Sequence, residues 1–341
     1  MLYCFLLFCL LSLIGLNLKN IRGVDEEALT PERTSMINGF FVGIIIFSHF
    51  NDYVTLSGIS NMIYLKIFKG ISQLMVTSFL FYSGFGIFES IKKKKNYIKT
   101  FFKKRFLKVY IAFALAIMAF ILLNYILHIQ YPIKTILLSF TAWSDIGNSN
   151  WFMFATFCLY LIVMISFNIF KKDNSKAILC VIIGTLLYMI VCWKFKEGSW
   201  FNTILCFDFG MLISIYKKKV FEFLGDKINY ILSFITVLLI MYLCISHGYS
   251  FIMYEIYSIC FVSVITLLSM KIKIGNKMLH FLGKNTFNIY ILQRIVFILY
   301  QRVGLATFNI YVYFALSVLT IIIISILFNY LLKFIYKILK I

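Results

Sequence analysis

The pair of residues with the clearest capacity for chemistry is His49 and Asp52, at the end of an apolar run that includes Asn38. A histidine at membrane depth can act as a general base, and a carboxylate three residues further along a helix could orient its ring. Asn38 and His49 are separated by about three helical turns, roughly 16 Å, so both would lie on one face of a helix. The alternative interpretation is that His49 is an interfacial residue packed at a helix end.

Other ionisable side chains lie inside apolar segments, where desolvation is costly and a functional role is the first hypothesis. Asp208 and Glu255 each interrupt an apolar run, and Arg294 lies within another. We expect the two carboxylates to line a cavity or to pair with Arg294, although isolated carboxylates at this depth can equally have structural partners. None of the eight cysteines has metal-ligand spacing, so no metal site is expected.

The composition indicates that these polar residues belong to a membrane protein. Of the 341 residues, 62% are hydrophobic and only 13% are charged, whereas soluble domains carry about 25% charged residues. This excludes an ordinary soluble enzyme, a disordered chain and a secreted disulfide scaffold. The net charge of +20 does not indicate a nucleic-acid partner either, because no polar domain is left to carry a basic surface.

The apolar runs predict an all-α, polytopic membrane protein with about 11 transmembrane helices. They lack the alternating pattern of a β-barrel. Two of them, 36–50 and 203–216, are short and must extend into their flanks. The runs are 1–18, 36–50, 70–89, 107–129, 151–170, 177–193, 203–216, 228–247, 250–270, 286–303 and 309–332.

The first run is interpreted as an extra transmembrane helix that is retained, because it lacks the basic start and the cleavage site of a signal peptide. We therefore divide the chain into this helix at 1–18, a cytoplasmic loop at 19–35 and a ten-helix membrane domain at 36–341.

Lysine and arginine are concentrated in every second gap between these runs. Most of the 33 basic residues lie in the odd-numbered gaps and the C-terminal tail, and the densest stretch is 92–108. The positive-inside rule makes that side cytoplasmic, with the N-terminus outside and the C-terminus inside. Adding or removing one helix would break the alternation, which supports the number of spans.

Four segments resemble motifs of the acyltransferase family 3 proteins, integral-membrane enzymes that O-acetylate bacterial surface polysaccharides. Residues 34–49 resemble the family's first core helix, which ends in histidine. Residues 79–86 resemble its aromatic-rich Ser-Gly segment, which precedes a basic stretch. Trp151-Phe152 resembles the start of its Trp-Phe helix, and residues 283–290 are similar to its Gly-Lys-x-Ser-x-x-x-Tyr segment. The resemblance extends from about residue 34 to 332.

The chain departs from the family pattern at three positions. Asn38 stands where the family usually has arginine, Thr156 where some members have a carboxylate, and Gln293, next to Arg294, where a late histidine is frequent. His49 is retained. These departures leave open whether the missing arginine reduces activity.

The resemblance implies transfer of an acetyl group from acetyl-CoA, without a metal, at the bacterial plasma membrane. The acceptor would be a hydroxyl of a cell-envelope or capsular polysaccharide, or of a lipid-linked oligosaccharide precursor, with membrane lipid around the enzyme and no nucleic acid. His49 would activate the hydroxyl as a base or carry the acyl group as a nucleophile, and both routes remain open.

The donor-binding residues implied by the motif match are Lys103, Lys104 and Arg105, because cations at a helix start suit the phosphates of CoA. The alternative for this basic stretch is a topological anchor near anionic lipid.

An acceptor pocket is the corresponding expectation for a set of aromatic and hydroxyl residues, because aromatic rings suit sugar faces. Packing within the bundle or an interfacial aromatic belt is the alternative. These residues are Tyr82, Ser83, Trp151 and Tyr160. The outer loop 130–150, with Trp143-Ser144-Asp145, is expected to cover the site or to contact the glycan.

Two alternative functions remain open at this stage. A transporter or flippase for a polysaccharide or lipid-linked sugar would also use many helices with a few buried polar groups. An inactive acyltransferase-like assembly partner would tolerate the loss of the motif arginine at Asn38.

Overall fold

The fold is known from a computed structural model that describes residues 1–18, 23–71, 73–171, 173–248, 250–305 and 309–341. Within these ranges the chain is mostly helical, which confirms the all-α polytopic prediction. The helices are α1 Leu2–Leu13, α2 Pro31–Phe50, α3 Ile59–Ile71, α4 Met75–Lys93, α5 Tyr97–Phe101, α6 Leu107–Ile126, α7 Ile133–Ser139, α8 Trp151–Ile169, α9 Asn174–Phe195, α10 Leu205–Ile215, α11 Lys217–Gly225, α12 Lys227–Ser246, α13 Phe251–Lys271, α14 Lys277–Lys284, α15 Thr286–Arg302 and α16 Ile310–Ile338.

Nine segments of the described residues are long and apolar enough to cross a membrane. The two short runs extend as predicted, to Pro31 in α2 and to Gly198 before α10. Helix α12 shows the membrane character most directly, because Cys244 is its only buried side chain while leucines and isoleucines are exposed along it. A helix that is apolar all round and exposes most of its surface requires lipid as its surroundings.

The other two predicted spans are shorter helices. Helix α15 has 17 residues, and α1 has 12, about 18 Å against a hydrocarbon core of about 30 Å. Helix α1 nevertheless packs into the bundle, where the Phe5 ring contacts those of Phe47 and Phe68 with centroids 5.6 and 5.0 Å apart. It therefore contacts both α2 and α3.

Two segments expected to be loops contain helix. Helix α2 begins at Pro31, inside the predicted loop 19–35, of which residues 19–22 lie outside the described residues. Helix α3 lies in the gap before the third run, where Lys66 and Lys69 interrupt the apolar pattern. Its Tyr64 hydroxyl donates to the backbone oxygen of Phe47 at 3.3 Å, so α3 packs on the C-terminal half of α2.

Contacts at one end of the bundle join segments that the charge pattern assigned to the cytoplasm. Strand β1 (Leu16–Leu18) pairs antiparallel with β2 (Ile272–Ile274). The Asp25 amide donates to the carbonyl of Met270 at 3.0 Å, and the Tyr336 hydroxyl donates to the carbonyl of Lys108 at 2.7 Å.

The opposite end joins the gaps that are poor in basic residues. Gln301 donates to the carbonyl of Tyr53 at 3.2 Å, and Gln73 donates to that of Ser199 at 3.1 Å. The contacts at both ends thus group the segments as the charge pattern predicts.

Glycine allows two pairs of helices to meet backbone to backbone. A Cβ atom at Gly39 of α2 would lie 2.0 Å from the Leu279 oxygen of α14, and one at Gly84 of α4 would lie 2.0 Å from the Phe207 oxygen of α10. Small residues permit such approaches in membrane bundles. The α2–α14 contact fixes the helix that carries Asn38 and His49.

Candidate active site

His49 lies at the end of α2 and lines a cavity of about 280 Å³ at the end of the bundle that is poor in basic residues. The other walls come from distant segments, including Gln73, Trp151, Ser199 and Tyr290. The Nδ1 atom of His49 is buried without a hydrogen-bond partner among the described residues. An imidazole that lines a cavity suits the role of a base or a nucleophile.

Asp52 does not orient His49 in this structure, because its carboxylate binds Arg294 instead. Arg294 donates to Asp52 Oδ2 at 2.7 Å, to the Ser149 hydroxyl at 3.0 Å and to the Tyr53 hydroxyl at 3.3 Å. The guanidinium thus ties α15 to the segment after α2 and to the loop before α8. These hydrogen bonds hold the three segments together beside the His49 cavity.

A second, smaller cavity of about 110 Å³ lies deeper in the bundle and brings together Ser83 and Tyr160, two of the four expected acceptor residues. Their hydroxyls are 3.2 Å apart. Phe152 lines this cavity, and its ring meets that of Tyr290 in the first cavity with centroids 5.4 Å apart. The two cavities are therefore separated by a pair of aromatic side chains.

Aromatic side chains connect this second cavity to the basic end of the bundle. The Phe101 ring meets Tyr160 with centroids 5.6 Å apart and Tyr97 at 5.7 Å. The Tyr97 hydroxyl accepts a hydrogen bond from Arg105 Nε at 3.2 Å. Arg105 thus lies at one end of a series of contacting side chains and cavities whose other end is His49.

The basic residues around Arg105 lie in a π-helical turn, Phe102–Phe106, a rare conformation that is frequent at functional sites. Lys103 and Lys104 are exposed, as a phosphate-binding role requires. Lys92 lies elsewhere: it donates to the Ser214 carbonyl at 2.7 Å and pairs with Glu89.

The remaining expected acceptor residues separate from one another. Trp151 lines the His49 cavity, whereas Tyr82 is buried with a hydroxyl that has no partner among the described residues. The four aromatic and hydroxyl residues therefore do not form one pocket.

Asp208 and Glu255 do not pair with Arg294, contrary to one of the two expectations for them. Asp208 accepts a hydrogen bond from the Thr185 hydroxyl at 3.1 Å, and Glu255 accepts one from the Ile204 amide at 3.1 Å. Both are buried, and neither lines the cavities described here. These partners lie in α9 and at the residue before α10, and the second carboxylate oxygen of each residue is buried without a partner among the described residues.

The altered motif positions have distinct surroundings. The Asn38 side-chain oxygen is buried without a partner among the described residues. Thr156 lines the second cavity while its hydroxyl bonds the Phe152 carbonyl at 2.8 Å. Gln293 is fully buried and donates to the Tyr290 carbonyl at 3.3 Å.

An open cleft of about 740 Å³ adjoins the His49 cavity and shares Trp151 and Ser199 with it. Trp143 and Trp200 also line it, and we call it the tryptophan cleft. Lys196 Nζ lies 4.0 Å from the centroid of Trp143 and 4.2 Å from that of Trp200. Partial burial lowers the pKa of the Lys196 ammonium, although Cys192 and Asp145 act in the opposite direction.

Several of these lining residues were not among the expected site residues: Gln73, Lys196, Ser199, Trp200 and Tyr290. The sequence offered a signal for Tyr290, which belongs to a motif, and for the cleft tryptophans, which are three of the four tryptophans in the chain. Gln73 and Ser199 carried no signal, because they are ordinary residues brought in by packing.

Comparison with known proteins gives one match. A family model described as "Acyltransferase domain", that of acyltransferase family 3, matches residues 37–329. No curated protein and no solved structure matches the chain.

Proposed function

The chain belongs to acyltransferase family 3, whose model covers most of it, and on this premise we propose that it transfers an acetyl group from acetyl-CoA to a sugar hydroxyl. The acceptor is a cell-envelope or capsular polysaccharide, or its lipid-linked precursor. The protein lies in the bacterial plasma membrane with its N-terminus outside and its C-terminus in the cytoplasm.

The observation that carries this proposal is the position of His49 at one end of a buried series of cavities and aromatic side chains whose other end is Arg105. An acyltransferase whose donor and acceptor lie on opposite sides of a membrane needs such a connection. The exposed Lys103 and Lys104 beside Arg105 fit the phosphates of CoA, since ammonium and guanidinium groups bind phosphate strongly.

The chemistry at His49 can follow either of two balanced routes. In the first, Nε2 takes the proton of the sugar hydroxyl, the oxygen attacks the thioester carbonyl, and the CoA sulfur leaves and receives the proton. In the second, Nε2 attacks the thioester carbonyl and CoA leaves as the thiolate; the sugar hydroxyl then attacks the acetyl-imidazole, His49 leaves as the free imidazole, and the hydroxyl proton balances the charge of the CoA thiolate. Mass spectrometry of the protein incubated with acetyl-CoA alone distinguishes them, because only the second leaves an acetyl group on His49.

The test of the function is the O-acetyl content of the surface polysaccharide, measured by NMR in cells that carry wild type, His49→Ala or His247→Ala. We expect His49→Ala to lower acetylation by about a hundredfold or more, as loss of a general base does. His247→Ala is the matched control, because that histidine is exposed at the end of α12, and it should retain the signals.

Export of the glycan is measured in the same cells to separate an enzyme from a transporter or flippase. Continued export without acetyl groups in His49→Ala supports the proposal. Unchanged acetylation in His49→Ala, with or without a loss of export, contradicts it.

A further inference from the structure

The tryptophan cleft combines the two kinds of group that bind carbohydrates. Trp143, Trp151 and Trp200 supply aromatic surface, while Asp145, Asn150 and other polar side chains on its walls supply hydrogen-bonding atoms. Its volume of about 740 Å³ falls within the range of about 300–1,000 Å³ typical of ligand sites. It opens at the outer end of the bundle, where the proposed function places the acceptor.

The cleft adjoins the cavity that contains the candidate base. Trp151 and Ser199 line both the cleft and the His49 cavity. A sugar ring against Trp151 can therefore present a hydroxyl toward His49 while the rest of the glycan occupies the larger cleft.

The position of Lys196 indicates the charge of the ligand. Its ammonium group lies over the rings of Trp143 and Trp200 and donates to the Trp143 carbonyl at 2.6 Å. Asp145 and Glu197 line the same cleft, but no carboxylate of the described residues lies within ion-pairing distance of Lys196. Cation–π contacts hold such a group in place without neutralising its charge, so it remains available to an anion.

The two tryptophan rings that contact Lys196 are themselves held by neighbouring side chains. The Phe154 ring meets Trp143 and Trp200 with centroids 5.2 and 5.6 Å apart, and the Tyr188 hydroxyl donates to the Trp200 carbonyl at 2.8 Å. Lys196 is thus held on a rigid platform, which lowers the conformational cost of binding a ligand.

We propose that the tryptophan cleft is the acceptor site and that it selects an acidic glycan, with Lys196 Nζ pairing with a carboxylate or phosphate group of the sugar chain. The inference rests on the proposed function and specifies the substrate class of the same site. The anionic group binds at the Trp143–Lys196–Trp200 platform, and a neighbouring sugar unit lies against Trp151 with its hydroxyl toward His49.

The test uses the full-length protein in nanodiscs and follows quenching of tryptophan fluorescence by three probes of equal length. These are an oligogalacturonate, which carries carboxylates, a glycerol phosphate oligomer, which carries phosphates, and a neutral maltooligosaccharide. We expect at least one acidic probe to bind saturably and roughly ten- to a hundredfold more tightly than the neutral one, as a charge-assisted hydrogen bond implies. The better of the two acidic probes identifies the anionic group.

Lys196→Gln should remove this preference and lower the affinity for the acidic probe by the same factor. Lys134→Gln is the charge-matched control, because Lys134 is exposed near the same end without lining the cleft, and it should retain wild-type affinity. Equal binding of acidic and neutral probes, no saturable binding of either acidic probe, or wild-type affinity in Lys196→Gln overturns the inference.

Failure of this inference and failure of the proposed function give different results. If His49→Ala abolishes acetylation while the cleft shows no preference for acidic probes, the acyltransferase function stands and the acidic acceptor does not. If His49→Ala retains acetylation, the proposed function fails whatever the cleft binds.

Discussion

At the scale of single residues, the partner of a side chain decides what it can contribute. His49 and Asp52 are close in sequence, yet the carboxylate binds Arg294, which is far away in the sequence. A histidine whose Nδ1 has no partner among the described residues is positioned by packing rather than by a carboxylate. The ring contact with Tyr290, with centroids 6.0 Å apart, is part of that packing.

This arrangement predicts a mild effect of Asp52→Asn on acyl transfer. The asparagine still accepts a hydrogen bond from Arg294, and His49 loses no partner, so we expect the rate to fall less than about tenfold. A carboxylate that oriented the catalytic histidine would instead contribute on the order of a thousandfold or more. Initial rates of acetyl transfer by the purified variant, beside those of the wild type, provide the measurement, and a thousandfold loss would restore the catalytic interpretation of Asp52.

At the scale of the helices, glycine marks the places where the backbone of one element touches another. Gly84 of α4 faces the Phe207 oxygen of α10, and Gly210 of α10 faces the Phe81 oxygen of α4 at 2.1 Å from an added Cβ. The contact is reciprocal, so neither helix can yield without moving the other. At Gly86, two residues further along α4, an added Cβ atom would meet no neighbouring element within 4 Å.

The two glycines of α4 should therefore respond differently to substitution by alanine. Gly84→Ala forces α4 and α10 apart and should lower the free energy of unfolding by about 1–3 kcal/mol. Gly86→Ala adds helix propensity without a clash and should be neutral or raise stability by up to about 1 kcal/mol. Thermal unfolding of both variants in the same detergent makes the comparison, and equal destabilisation would contradict the reciprocal contact.

At the scale of the whole molecule, charge and contacts agree on which segments share an end of the bundle. The β1–β2 pairing and the hydrogen bond from Tyr336 to Lys108 group the basic segments. The bonds of Arg294 and Lys196 group the segments of the other end. The donor and acceptor sites proposed here lie at these opposite ends.

The proposed orientation predicts which end an impermeant maleimide reaches on intact bacterial cells. Lys134→Cys, near the His49 end, should be labelled on intact cells, whereas Lys218→Cys, in α11 at the basic end, should react only after permeabilisation. Both lysines are exposed, so accessibility within the protein is matched, and the unsubstituted chain measures the background from its own cysteines. The reverse pattern would show that the protein is inserted the other way round.

The sequence by itself determined the membrane class, the alternation of its segments and the family. Those properties follow from local quantities: the length of an apolar run, the count of lysines in a gap, and short motifs such as those around His49 and Trp151. The extensions of α2 and of the span that contains α10 were predicted correctly, because a helix must be long enough to cross the bilayer. Short helices such as α3 were missed where Lys66 and Lys69 break the apolar pattern.

Only the tertiary structure decided which polar groups meet. It paired Asp52 with Arg294, gave Asp208 and Glu255 structural partners, and placed Lys196 between Trp143 and Trp200. The physical reason is that a membrane helix is apolar toward lipid and toward its neighbours alike, so its hydrophobic pattern does not reveal which face packs or against what. The cleft beside His49, and the acidic acceptor proposed for it, depend on that packing.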